Sequence, residues 1–146
     1  MKKILFLILS VCALFTACKI DEPDKDLKRI VFDSGDLKFI STSLNINKGT
    51  SSALYGNTQA SVSLAGENSS LKNGSVLQLV TWKYHENPQY TGGTITGELV
   101  SIETLKANPD GTLTYRFNNP SETESRKPDP SERISYMMSF KPVKRP

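Results

Sequence analysis

Apolar and polar side chains alternate in steps of two along much of this chain, and this period limits the fold more than any other feature of the sequence. The alternation covers four stretches, residues 40–46, 60–64, 112–117 and 134–140, and no window shows a sustained 3.6-residue period. Successive side chains of a β-strand point to opposite faces of its sheet, so the pattern predicts half-buried strands. Residues 76–84 are almost continuously apolar, which predicts a central strand that is partly covered on both faces.

Turn signals separate these stretches. Asn47-Lys48-Gly49 follows the first one, and Asn108-Pro109-Asp110-Gly111 lies between residues 100–106 and 112–117. Proline presets φ at the first turn position and glycine accepts a positive φ, so we predict that these last two segments form a hairpin. The apolar positions shift from odd to even numbers near Leu99, which predicts a β-bulge there.

The sequence predicts one all-β domain over residues 30–146. Its length and its alternating stretches favour an antiparallel β-sandwich, immunoglobulin-like, with about seven or eight strands. Trp82, in the most apolar strand, is compatible with the buried core tryptophan of such domains. A small closed β-barrel is the alternative. Residues 118–132 contain three prolines and no large apolar side chain, so we predict a long loop there.

The N-terminus has the layout of an export signal. Two lysines precede an apolar run of 14 residues, 4–17, which is too short to span a bilayer as a helix. Thr16-Ala17-Cys18 resembles the lipobox of bacterial lipoproteins, although Phe15 stands where leucine is commonest. The resemblance implies that residues 1–17 are a signal peptide that is removed, and that Cys18 carries the lipid anchor.

Residues 18–29 are predicted to be a flexible acidic tether, because they include four acids and a proline and no apolar period. An acidic cluster directly after the lipidated cysteine resembles the surface-export signal of Bacteroidota lipoproteins, and a plain solvated spacer is the alternative. The resemblance implies a lipid-anchored protein of the outer membrane, at the cell surface or otherwise on the periplasmic face.

The composition excludes several kinds of site. Cys12 and Cys18 are the two cysteines, so the predicted domain would contain no thiol and no disulfide. His85 is the single histidine, which excludes zinc sites built from two or three histidines. The sequence has no P-loop, dinucleotide-binding glycine motif or EF-hand, and we predict no metal and no cofactor. Without the signal peptide, 16 basic and 15 acidic residues remain, which gives no reason to expect nucleic acid as a partner.

The segment 82–90 combines aromatic, amide and charged side chains at the end of a predicted strand. Its candidate ligand-binding residues are Trp82, Tyr84, His85 and Tyr90. Aromatic rings with polar neighbours are suited to binding a glycan, whereas in the alternative interpretation Trp82 and Tyr84 point into the core. His85 and Glu86 are adjacent and should point to opposite sides of the strand, which argues against an acid–base pair.

Five carboxylates are candidates for a glycosidase pair: Glu98, Glu103, Asp110, Glu122 and Glu124. Their positions in turns, in the long loop and along strands suggest that none of them is buried or has a shifted pKa. We therefore predict no catalytic residue and a protein that is not an enzyme.

These observations predict an envelope lipoprotein that acts by binding, as a non-enzymatic accessory subunit of an envelope complex. Its partners would be the membrane, through the lipid on Cys18, and a protein that contacts an exposed strand edge or the loop 118–132. A surface carbohydrate-binding module is one alternative, and a protease-inhibitor or immunity lipoprotein is another.

Overall fold

The protein is seen here as a computed structural model that describes residues 32–66, 70–87, 89–120 and 127–143. The predicted signal peptide, Cys18 and the tether lie outside the described residues. Five antiparallel strands form one sheet in the order β1-β2-β3-β4-β5. The strands are β1 (Lys38–Asn45), β2 (Thr50–Gly56), β3 (Val76–Glu86), β4 (Thr94–Ala107) and β5 (Leu113–Asn118), and the helices are α1 (Thr58–Ala65) and α2 (Pro130–Ser139). None of these described helices has both the length and the apolar character needed to cross a membrane.

Several sequence predictions are confirmed. The alternating residues 40–46 lie in β1 and the turn that follows it, and the apolar residues 76–84 lie in β3, the central strand. Strands β4 and β5 form the predicted hairpin. The bulge near Leu99 is present, because Thr81 pairs with Ser101 while the next residue of β3, Trp82, pairs with Leu99.

The antiparallel β-sheet fold is thus confirmed, whereas the sandwich of seven or eight strands and the closed barrel are not. The described residues form a single open sheet of five strands with two short helices. Two segments predicted to be strands are helical, so they cannot contribute to a second sheet.

Residues 60–64 were expected as a strand but lie in α1. Asn57 begins this helix, because its side-chain oxygen accepts a hydrogen bond from the N–H of Ala60 at 3.0 Å. Positions four apart share a face in a helix as well as in a strand, so the spacing of Ala60 and Leu64 fits both. Val62 distinguishes the two, because it is 51% exposed while Ala60 and Leu64 are buried.

Residues 134–140 were also expected as a strand, and most of them lie in α2. Asp129 caps the helix by accepting a hydrogen bond from the N–H of Ser131 at 2.7 Å, and Pro130 occupies the first turn. The helix begins at Pro130, so the last residues of the predicted loop 118–132 are helical. Residues 121–126 of that loop lie outside the described part. Met137 of α2 is fully buried.

Both helices pack on one side of the sheet, here called the covered face, which is defined by Leu54, Leu77, Leu79 and Leu105. Their partners from the helices and the flanking chain are Ile40, Ala60, Leu64, Met137 and Phe140. Each large side chain buried in this cluster stabilises the fold by about 1.5–3 kcal/mol.

We predict that Gly56→Ala lowers the free energy of unfolding by about 1–3 kcal/mol, because this part of the core has no room for a methyl group. A Cβ at Gly56 would lie 2.6 Å from Cδ1 of Ile40 and 3.0 Å from the carbonyl oxygen of Val76. Urea unfolding followed by circular dichroism measures the effect. Gly66→Ala is the matched control, since its nearest neighbour, the carbonyl oxygen of Ser63, is 3.5 Å away. Equal stability of the two variants would contradict the packing described here.

Candidate functional site

Glu103 is a buried carboxylate on the covered face, in β4, and it is 1% exposed. Arg133 of α2 donates to both of its oxygens, from Nη2 at 2.6 Å and from Nε at 2.8 Å. The hydroxyl of Tyr115, in β5, donates to the Oε2 atom at 2.7 Å. We call these three residues the Glu103 network. Through these three hydrogen bonds the carboxylate joins β4, β5 and α2.

Within the Glu103 network, the pKa values of Tyr115 and Arg133 are both raised. Burial raises the pKa of the Tyr115 phenol, and the neighbouring Glu103 carboxylate raises it further. The hydrogen bonds that Arg133 donates to Glu103 raise the pKa of the Arg133 guanidinium, so this side chain stays charged. The guanidinium also lies 4.8 Å from the ring centre of Tyr136, a cation–π contact within α2.

A row of hydroxyls crosses the covered face beside the Glu103 network, and sequence reasoning missed it. The register places Ser43, Ser52, Thr81 and Ser101 side by side on four neighbouring strands. The hydroxyls of Ser52 and Thr81 are hydrogen-bonded at 2.8 Å, and that of Ser43 bonds to the Tyr136 hydroxyl at 2.7 Å. Ser43, at one end of the row, is thus bonded to α2, and the other three members are buried.

The opposite side of the sheet, here called the open face, is defined by Ala53, Tyr55, Val80, Trp82 and Ile102, which the register places together. Four rings on it form the aromatic chain, in the order Phe39, Tyr55, Phe32 and Trp82. Successive ring centres are 6.0, 5.4 and 6.2 Å apart. Phe32 comes from the segment before β1 and joins the rings of β2 and β3.

Phe32 completes a small apolar cluster on the open face. The register places the Ala53–Val80 pair between Tyr55 and Trp82, and both members of the pair are buried. Trp82 is half-buried there and does not belong to the core under the helices. Its Nε1 atom is buried without a hydrogen-bond partner in the described part of the chain.

The predicted ligand-binding residues do not lie on one surface. Trp82 and Tyr84 share the open face, whereas His85 points to the covered side, where its ring lies against Gly97. Tyr90 is 70% exposed in the loop between β3 and β4. The expectation that His85 and Glu86 point to opposite sides is confirmed by their consecutive pairing with Ile95 and Thr94.

The candidate carboxylates are dispersed. Glu98 forms an exposed ion pair with Lys83 at 3.6 Å, and the hydrogen bonds from Thr112 lower the pKa of Asp110 in its turn. Glu122 and Glu124 lie outside the described residues. The expectation that no carboxylate is buried is wrong for Glu103, because β4 places it under α2. Within the described ranges no three His, Cys, Asp or Glu residues are grouped as metal ligands.

The two edges of the sheet differ. At the β1 edge, the N–H of Val143 donates to the carbonyl oxygen of Ile40 at 3.0 Å, so the C-terminal segment bonds to part of this edge. At the other edge, β5 pairs with β4 on one side, and within residues 32–66, 70–87, 89–120 and 127–143 no strand pairs with its outer side. Leu113, the first residue of β5, is 43% exposed. Among the described residues, β5 is therefore an edge strand of the sheet.

We predict that Glu103→Gln lowers the free energy of unfolding by about 3 kcal/mol, because it leaves the Arg133 guanidinium without its anion. Urea unfolding of the variant beside the unchanged protein measures the loss. Glu98→Gln is the matched control, since both side chains of the Lys83–Glu98 pair are about half exposed and such pairs contribute at most about 1 kcal/mol. A Glu103→Gln variant as stable as the control would show that the network does not hold α2.

Comparison with known proteins adds no family to this description. No protein-family model matches the chain, and no curated protein is significantly similar to it.

Proposed function

We propose that this protein is a lipid-anchored, non-enzymatic accessory subunit of a bacterial envelope complex, which binds a protein partner by strand addition at β5. The observation that carries the binding mode is the outer side of β5, which has no strand beside it in the described residues. Backbone N–H and C=O groups on such an edge pair readily with an added strand, and neighbouring side chains supply specificity.

The composition of the edge supports a protein partner. β5 alternates Leu113, Tyr115 and Phe117 on one face with polar residues on the other, so an added strand would meet apolar side chains on the covered face. The partly bonded β1 edge is less suited to the same role. The carbohydrate-binding and inhibitor alternatives remain predictions from the sequence.

The proposed anchor is the lipid on Cys18. Fourteen residues, 18–31, connect it to Phe32, where the described domain starts. Each buried CH₂ of an acyl chain contributes about 0.8 kcal/mol, so two or more chains hold a protein on a membrane stably. The anchor would keep the β5 edge near partners in the outer membrane, at the cell surface or otherwise on the periplasmic face.

The anchor predicts that Cys18→Ser abolishes labelling of the protein by an alkyne fatty acid and moves it from the membrane fraction to the soluble fraction. Cys12→Ser is the matched control, because Cys12 belongs to the predicted signal peptide and its loss should leave labelling unchanged. Labelling of the Cys18→Ser variant, or mass spectrometry that finds no acyl group on the mature N-terminus, would contradict the anchor.

The β5 edge predicts a defined cross-linked product from a photoreactive amino acid at position 113. The same group at position 62 is the control, since Val62 is 51% exposed on α1 and Leu113 is 43% exposed on β5. Leu113→Asp should reduce recovery of the same partner about tenfold, which corresponds to about 1.4 kcal/mol. Products that form equally well from both positions, or recovery unaffected by Leu113→Asp, would exclude this edge as the binding surface.

A further inference from the structure

We infer that Asn73 is a site of spontaneous deamidation and that the turn between β4 and β5 controls its rate. This inference is independent of the anchor at Cys18 and of the partner proposed for β5. Asn73 is the asparagine of the chain that a glycine follows, and Gly74 has no Cβ to hinder attack by its backbone nitrogen. Both residues are exposed, so water reaches them.

The deamidation of Asn73 consumes water and needs no other reactant. The backbone nitrogen of Gly74 loses its proton to solvent and forms a bond to Cγ of Asn73. The bond from Cγ to Nδ2 breaks, and Nδ2 leaves as ammonia. Water then adds to either carbonyl carbon of the cyclic imide and opens it to an aspartyl or an isoaspartyl residue. Nothing is oxidised or reduced, and the net change replaces an amide by an acid.

Both reacting groups are held by the turn between β4 and β5. The N–H of Gly74 donates to the carbonyl oxygen of Ala107 at 2.8 Å, and Nδ2 of Asn73 donates to that of Pro109 at 2.9 Å. The N–H of Ala107 donates in return to the carbonyl oxygen of Ser75 at 2.9 Å. Because the Gly74 proton is engaged and the Asn73 side chain is bonded to Pro109, the attack requires these two turns to separate.

Each of the two turns contains a glycine in the left-handed region. In the turn before β3 the φ angle of Gly74 is +80°, and in the turn between β4 and β5 that of Gly111 is +82°. The N–H of Gly111 closes the second turn by donating to the carbonyl oxygen of Asn108 at 3.0 Å. A residue with a Cβ is strained at such an angle, so a substitution of Gly111 weakens the second turn without changing either reacting residue.

The product of the reaction cannot restore the contact. An ionised carboxylate at position 73 accepts hydrogen bonds and donates none, so it would face the Pro109 carbonyl oxygen without a proton between them. The isoaspartyl product also adds a methylene group to the backbone beside Gly74, whose N–H pairs with Ala107. Deamidation would therefore loosen the turn that leads into Leu113, the first residue of β5.

Peptide mass spectrometry of the folded protein and of the same protein in guanidinium chloride tests the site. We expect Asn73 to deamidate at least about tenfold more slowly in the folded chain, because the reaction there needs a local opening. Equal rates in the two states would overturn the inference, and so would an unfolded chain that does not deamidate at Asn73.

A pair of glycine variants tests the control by the turn. Gly111→Ala should speed the deamidation of Asn73 in the folded protein about tenfold, the factor that the strain of a left-handed alanine gives. Gly92→Ala is the matched control, because its φ angle is +81° and a Cβ there, as at Gly111, has no neighbour within 4 Å. A rate that Gly111→Ala leaves unchanged, or that both variants raise equally, would exclude this control. If Gly111→Ala does not fold, hydrogen exchange of the Gly74 amide decides, since exchange as fast as in an unfolded chain would also exclude it.

A second pair of variants tests the consequence. Asn73→Asp should lower the ratio of folded to unfolded protein about fivefold, the effect of losing one hydrogen bond. Asn87→Asp is the matched control, because Oδ1 of Asn87 accepts a hydrogen bond from the N–H of Gln89 at 2.9 Å and a carboxylate keeps that role. Urea unfolding measures both variants, and an equal effect of the two would contradict the loosening described here.

Discussion

The Glu103 carboxylate is the buried charge on which the packing of the C-terminal helix depends. Removing a carboxylate from water costs several kcal/mol unless it is fully paired, and Arg133 and Tyr115 supply three hydrogen bonds to it. These donors come from α2 and β5, while the acid itself belongs to β4. The charge is therefore satisfied only when the hairpin and the helix are in place together, which makes the C-terminal half of the fold cooperative.

This arrangement makes the two faces of the sheet unequal. The helices and the leucines beneath them occupy one face, where the Glu103 network and the hydrogen bond between Ser43 and Tyr136 hold α2. On the other face the ring of Phe32 contacts the rings of Tyr55 and Trp82, and Trp82 is half-buried. In the part of the chain that the structure describes, the outer side of β5 has no strand beside it.

Strands such as β3 and those of the β4–β5 hairpin could be predicted from the sequence. The two helices, α1 and α2, could not. β3 and the β4–β5 hairpin follow from local signals, since an apolar run and the Pro109–Gly111 turn act within a few residues. α1 was misread because Ala60 and Leu64 are four residues apart, a spacing that suits a helix and a strand alike. α2 was misread because its start signal, Asp129 followed by Pro130, was included in a loop on account of its prolines and charges. Of the candidate ligand residues, Trp82 and Tyr84 share a face, as the alternation implies, while Tyr90 depends on a loop conformation that alternation does not describe.

By itself, the sequence determined the antiparallel strands, their turns and the bulge at Leu99, because these depend on φ preferences and on a period that is local to the chain. Only the tertiary structure decided that Glu103 is buried, since its partner Arg133 is 30 residues away in the sequence. The same holds for Phe32, which finds Tyr55 and Trp82 only once β2 and β3 are paired. Contacts between distant segments carry no signature in local composition, so the open face and the Glu103 network became visible only in the folded chain.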